Sequence, residues 1–597
     1  MSNRAKVVSI CILFMLSLFA CRNNPDEYSV DYTITSPKKD WAYSTERTVL
    51  LSTNLNSKEI SWSSSADGKL GTGNNLTVYL SSGEHTIYAE YNGCKKSVYI
   101  TVDEEPANGV EVGRTLITKM PFEKTYKDGT YLTYLVSGDA EIKNISVSFE
   151  DNVSNSLNIK RGRMIFTEDS SSANEIKRDF HIESKVHEKS LVKNKICSRS
   201  ASTESSHCFY VIDTSNQESE PHYVEADKYY SSNLLTVWIP ETDLSTIQND
   251  ATIKEMLSEA ISNAEKILIP RVTAIWGICA DINKDGAFSL LFSSTINDEQ
   301  TAIGFFNPLD FFANCKDEKN EDYNPSSNEM DLLYIALPET GSSNYSVGSI
   351  SATIAHELTH AVNFTIKTYN RILSGEENSA QEETFLDEGW SHLTENLCGF
   401  GVSGGNIQFF RRYLQHPEYY SFCKDNIYGQ SDCVGQRGAM TLFLSWLFWK
   451  SGGMSWSDEN KIYLVDKCGI SFLRQMTSLS QTGWSSIGAA FGKNTDSLFY
   501  EMIDEIQNAE AAGEEYISRL DPVTAEPVDF FVNMNAASIA DYAGNLTPVE
   551  ISSYVDSTLL PWSISVFNKI SFSSAGSIVI SGKYEDGTAF VFDRKVE

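Results

Sequence analysis

Histidine is scarce in this chain, nine among 597 residues, and positive charge is short, with 48 Lys and Arg against 80 Asp and Glu for a formal net charge of −32. Such an acid excess argues against a nucleic-acid partner, whose phosphates demand a basic face. It suits a surface that keeps a protein dispersed outside the cytoplasm. No two of the eleven cysteines have C-x-x-C spacing, which argues against a cysteine zinc cluster or a thioredoxin-like centre. Cys197 with Cys208 and Cys423 with Cys433 are short-loop disulfide candidates, with connectivity left open.

Length sets the next bound. Nearly six hundred residues exceed what one hydrophobic core organises, so several domains are expected. Residues 1–20 carry Arg4 and Lys6 and then an apolar run from Val7 to Phe19, the pattern of an export signal rather than a membrane span. The run ends Leu18-Phe19-Ala20-Cys21 and resembles a bacterial lipobox, which implies lipidation at Cys21 and a membrane anchor at the cell envelope. Cleavage by an ordinary signal peptidase is the alternative. From 21 to 104, short alternating runs such as Leu76 to Leu80 and Val98 to Val102, separated by Gly, Asn and Ser, predict a small β-sandwich. Trp62, Asp67-Gly68 and the Gly83 to Ile87 stretch resemble Ig-like and PKD-like modules. Residues 105–220 read as a β-rich linker or pro-region, and 521–597 as a small C-terminal β domain.

Between these lies the stretch that carries chemistry. Ala355-His356-Glu357-Leu358-Thr359-His360 is an H-E-x-x-H pattern in an apolar, helix-compatible run. On a helix the two imidazoles stand one turn apart and converge on one ion, while Glu357 faces the ion's open position as a general base. Two surface histidines are the bland reading; the strand-like run Asp331 to Leu337 just upstream favours a packed site. Downstream, Phe385 to Glu395 offers Glu388 as a third metal ligand on a second helix. Asp387, His392 and Glu395 are candidates to support the ligands from behind. Glu376, Glu377, Glu382 and Glu383 are rivals for the third place.

H-E-L-T-H followed by L-D-E-G-W-S-H-L-T-E resembles the gluzincin metallopeptidases, and the spacing of twenty-eight from His360 to Glu388 is similar to that of the hyicolysin family. The resemblance covers roughly Phe209 to Ala511. It implies one zinc ion held by His356, His360 and Glu388, Glu357 as base, and peptide or protein substrates. It also implies a sheet-bearing catalytic lobe over 221–400 facing a helical lobe over 401–520, with a Tyr or His of the second lobe stabilising the oxyanion; Tyr419, Tyr420, Tyr428 and Arg437 are candidates. The fold class is thus multidomain α+β. No G-A-M-E-N-like segment is present, which favours an endopeptidase over an aminopeptidase. Asp281, Asn283, Asp285 and Gly286 match the first half of a Ca2+ loop, but Phe292 stands where a bidentate glutamate is needed, so a hairpin turn is the preferred reading. The rival from another class is an inactive peptidase-like surface lipoprotein whose β modules bind host or envelope ligands.

Overall fold

The computed structural model describes residues 32–150, 205–513 and 546–596 apart from short breaks, the longest at 104–111. The export signal, Cys21 and Cys197 lie outside the described residues. With about 37% helix and 32% strand, the chain is a mixed α/β protein. It divides into two compact units, Met1–Ala107 and Asn108–Glu597. Among the described residues no helix is long and apolar enough to cross a membrane.

In the first unit, alternation has its expected effect. Gly83–Tyr91 pairs with Cys94–Asp103 and with Ser61–Ser64 in a five-stranded sheet, while Val49–Thr53 joins a three-stranded one. Residues from both sheets, among them Val49, Leu51, Trp62, Ile87 and Ile100, form one core. Trp62 keeps its indole N–H satisfied by donating to the Gly73 carbonyl at 2.7 Å.

The second unit is built on a six-stranded sheet. In spatial order its strands are Ser206–Val211, His222–Ser231, Leu235–Pro240, Phe288–Ser293, Leu332–Ala336 and Gly304–Phe306. The three strands Leu235–Pro240, Phe288–Ser293 and Leu332–Ala336 run parallel and are wholly buried, as continuous apolar runs should be. Ile253, Leu257, Ala260 and Ile261, apolar at helical spacing in the sequence, are the buried face of helix Ala251–Asn263, and the H-E-x-x-H run lies in helix Val347–Phe364.

Two readings need correction. The apolar, β-branched run from Val272 to Gly277 reads as a strand in the sequence, yet it lies mostly in the helix Ile269–Ile275. Pro270 does not end the preceding helix. A π turn, Ala264–Leu268, shifts the hydrogen bonding so that Pro270, which has no N–H to give, sits in a new first turn. Similarly Leu464–Asp466, expected as helix, is a strand paired with Met454–Trp456.

The stretches read as a linker and as a separate C-terminal domain contribute strands to the same two sheets. One has the order Phe122–Tyr126, Gly576–Tyr584, Ile142–Glu150, Ser557–Leu559. The other runs Ile564–Val566, Gly129–Ser137, Ala589–Lys595, Val112–Leu116. Leu135, Ile142 and Ile145 from one end of the chain pack with Phe572, Ile578 and Val591 from the other. Helix Thr495–Ala511 docks on this sandwich: the Gln507 amide donates to the carbonyls of Leu132 and Phe592, and Arg114 pairs with Asp504.

A buried carboxyl braces the loop beside the six-stranded sheet. Asp310 accepts the Asn328 backbone N–H at 2.7 Å and the Tyr334 hydroxyl, and burial pushes it up to about 7. Because its folded value lies above the unfolded one, its contribution to stability is complete at pH below about 4. It is lost as pH rises through about 7. Asp310→Asn should therefore flatten the fall in stability between pH 4 and 7, an effect on the order of a few kcal/mol. Denaturant unfolding of parent and variant at pH 4.5 and 8 checks this; identical slopes would remove Asp310 from the account.

Candidate metal centre

The motif lies on the helix Val347–Phe364, which opens with a reciprocal cap between Ser346 and Ser349. From Ile350 to Phe364 every residue is buried. A helix apolar on all sides belongs inside, and here it packs on the sheet strand Gly304–Phe306 and on the helices Ala251–Asn263 and Thr384–Cys398. His356 and His360 stand one turn apart and meet edge to face, ring centroids 4.8 Å and planes at 76°.

Helix Thr384–Cys398 carries the acidic partners and ends at Gly399 in the left-handed conformation, φ 91°. Its close approach to helix Val434–Lys450 depends on Gly389. A Cβ there would meet Met440 Cγ at 2.6 Å and Leu444 Cδ1 at 2.9 Å. The residue next to Glu388 is therefore fixed by packing.

At the junction, Glu388 is wholly buried. His356 Nε2 is 3.2 Å from one of its oxygens and His360 Nε2 is 3.6 Å from the other. The Nδ1 atoms face carboxylates of their own: His356 meets Glu395 at 2.8 Å, His360 meets Asp387 at 3.0 Å. Burial pulls the His360 imidazole down, but Asp387 and Glu388 outweigh it and hold it at about 9. His392 shares the Glu395 carboxylate, Nδ1 at 3.0 Å, and also meets Asn406 Oδ1 at 3.0 Å.

No protein-family model and no curated protein matches the chain. The arrangement must be weighed on its own chemistry. Ligand atoms of His356, Glu388 and His392 all lie within 4.8 Å of one another, so this buried group can hold a metal ion. Imidazole and carboxylate donors whose outer nitrogens are fixed by carboxylates suit borderline-soft divalent ions, and the residues fit such an ion. His360 brings a further imidazole to the same carboxylate.

The two sides of Glu388 differ in access. A pocket reaches Glu357, His360 and Asp387. His392 instead lies with its ring 4.5 Å from Phe409 and is 1% exposed. The side of His360 is thus the one that opens to the pocket.

Other residues fall in unexpected places. Arg437, a candidate for oxyanion stabilisation, is clamped by Asp432 through two bonds of 2.6 and 2.8 Å and places Nη1 2.9 Å from Glu388. Tyr420 accepts a hydrogen bond from Arg412, and Tyr419 stacks on His416. Of the rival glutamates, Glu382 pairs with Lys367, Glu376 with Arg371, and Glu383 precedes the helix at its N-cap; Glu377 lies outside the described residues. Asn406 was not singled out from the sequence, and nothing in its local context would have done so.

The calcium-like stretch is a turn, though it connects a helix to a strand rather than two strands of a hairpin. Asp281 accepts the N–H groups of Asp285 and Gly286, and Asp285 accepts that of Ala287. These carboxylates serve the backbone. Cys423 and Cys433 are free thiols.

Two outcomes follow from this geometry. His360→Ala should weaken metal binding by more than a hundredfold and His392→Ala by roughly tenfold, the scale of an outer partner. Competition with a chromophoric chelator measures both, and the reverse order would put the ion on the His392 side. Gly389→Ala should cost about 1–3 kcal/mol by overpacking and displace Glu388, so thermal stability and metal affinity fall together. A variant with unchanged melting would show that Met440 yields freely.

Proposed function

We propose that this chain is an extracytoplasmic zinc metalloendopeptidase, lipid-anchored through Cys21 at the bacterial cell envelope. The observation that supports it most is the position of Glu357. It is buried in the H-E-x-x-H helix, yet lines the pocket that also reaches His360. A carboxylate so placed has a substrate side and a metal side.

In this reading His356, His360 and Glu388 hold the zinc, and Glu395 and Asp387 orient the two imidazoles through Nδ1. Zinc, when bound, supplies Lewis acidity toward the scissile carbonyl and the attacking water. Glu357 takes the proton released by that water and hands it to the departing amine nitrogen, acting as base and then as acid. Arg437, with Nη1 2.9 Å from Glu388 Oε2, balances the charge of Glu388 and keeps its carboxylate in place.

Casein is a suitable first substrate because it is unfolded and needs no sequence guess. The parent chain should cleave it, and Glu357→Gln should lower the rate about 10²–10⁴-fold with zinc content unchanged. Removing zinc with a chelator should abolish cleavage, and adding it back should restore it. Equal rates in parent and variant would assign the activity to a contaminant and leave a binding scaffold as the reading.

A further inference from the structure

The helix face that carries Glu357 and His360 continues past the motif. Glu357, His360, Phe364 and Lys367 recur at steps of three and four residues, the last within the π turn Thr365–Tyr369, and all line the same pocket. Phe306 and Trp390 add apolar wall from the sheet side and from the acidic helix.

Glu357, His360, Asp387, Thr368 and Gln381 also line this pocket, and beside them stand two polar features that differ in kind. Lys367 and Glu382 form a buried ion pair. Lys367 also donates to the Met476 carbonyl at 3.1 Å, and Glu382 accepts the N–H groups of Gly483 and Glu383 at 2.6 and 2.9 Å. Their charges are answered within the protein, so neither of these two groups offers a countercharge to a ligand. Asn363 is the opposite case. It is 2% exposed, and neither Oδ1 nor Nδ2 has a hydrogen-bond partner among the described residues. A buried carboxamide with its donor and acceptor both unmet is costly, and such groups call for a ligand.

We propose that this pocket is the side-chain subsite of the enzyme and that it selects an uncharged residue ending in a carboxamide, glutamine above all, through Asn363. The inference rests on the peptidase reading. The apolar walls take the methylene stem, while Asn363 donates to the ligand's carbonyl and accepts from its amino group. Methionine matches glutamine in length but leaves Asn363 unmet. Glutamate matches in shape but buries an uncompensated charge.

The test uses the full chain carrying Glu357→Gln, so that binding is measured without turnover. Calorimetry compares three alanine-based hexapeptides that differ at one position, Gln, Met or Glu. The Gln peptide should bind about tenfold or more tighter than the other two. In the double variant with Asn363→Leu the preference for Gln over Met should vanish. Equal affinity for the Gln and Met peptides, no binding of any peptide, or a preference that survives Asn363→Leu would overturn the proposal. The first comparison needs no change at Asn363, so it decides even where the Leu variant fails to fold. Casein cleavage by the parent separates the two failures: cleavage without Gln preference sinks the subsite alone, whereas Gln preference without cleavage sinks the peptidase reading alone.

Discussion

A fully buried carboxylate is costly unless something nearby carries the opposite charge or can acquire it, and Glu388 is such a carboxylate. His356 and His360 approach it from one helix and Arg437 from another. Each of those groups is held in turn by a second carboxylate: Glu395, Asp387 and Asp432. The cluster therefore alternates in sign outward from Glu388. Removing one partner would leave a buried charge uncompensated in low dielectric, which couples the three helices.

Close packing makes this alternation possible. Gly389 lets the acidic helix touch Met440 and Leu444, and Gly438 lets the arginine-bearing helix approach the backbone at Phe409, where a Cβ would lie 2.0 Å from the carbonyl oxygen. Larger residues at either place would push the helices apart by more than a hydrogen bond tolerates. The β-sandwich made from the two ends of the second unit supports the outer helix Thr495–Ala511 through Gln507 and Asp504. The site thus rests on elements drawn from almost the whole unit.

The helix that bears the histidines was legible because its signals are local: an apolar, helix-compatible run and a four-residue histidine spacing. Glu388 was preferred over its neighbours because it opens an apolar-periodic segment, and the observed pairing of Glu382 with Lys367 accounts for one rival. The roles of Asp387 and Glu395 were foreseeable in kind, since a metal-type histidine needs a partner for its other nitrogen. What was not legible was which carboxylate serves which ring, or that Arg437 meets Glu388 rather than the pocket. Those depend on the angle between two helices twenty residues apart in sequence, and side-chain period does not encode it.

The sequence by itself determined the elements and the donor chemistry: buried strands as continuous apolar runs, the motif helix as an apolar run with histidines four apart, two imidazoles and a carboxylate as metal-type ligands. It could not tell a strand from a helix at Val272 to Ile275, where a short apolar run suits both, and the π turn before Pro270 tipped it. Tertiary structure alone decided that strands near residue 130 pair with strands near residue 590. Sheet edges are satisfied by any strand of matching pattern, and only the folded chain selects which one arrives. It alone, too, turned Asn363 into a buried carboxamide facing a pocket, because burial is a property of the neighbours rather than of the residue.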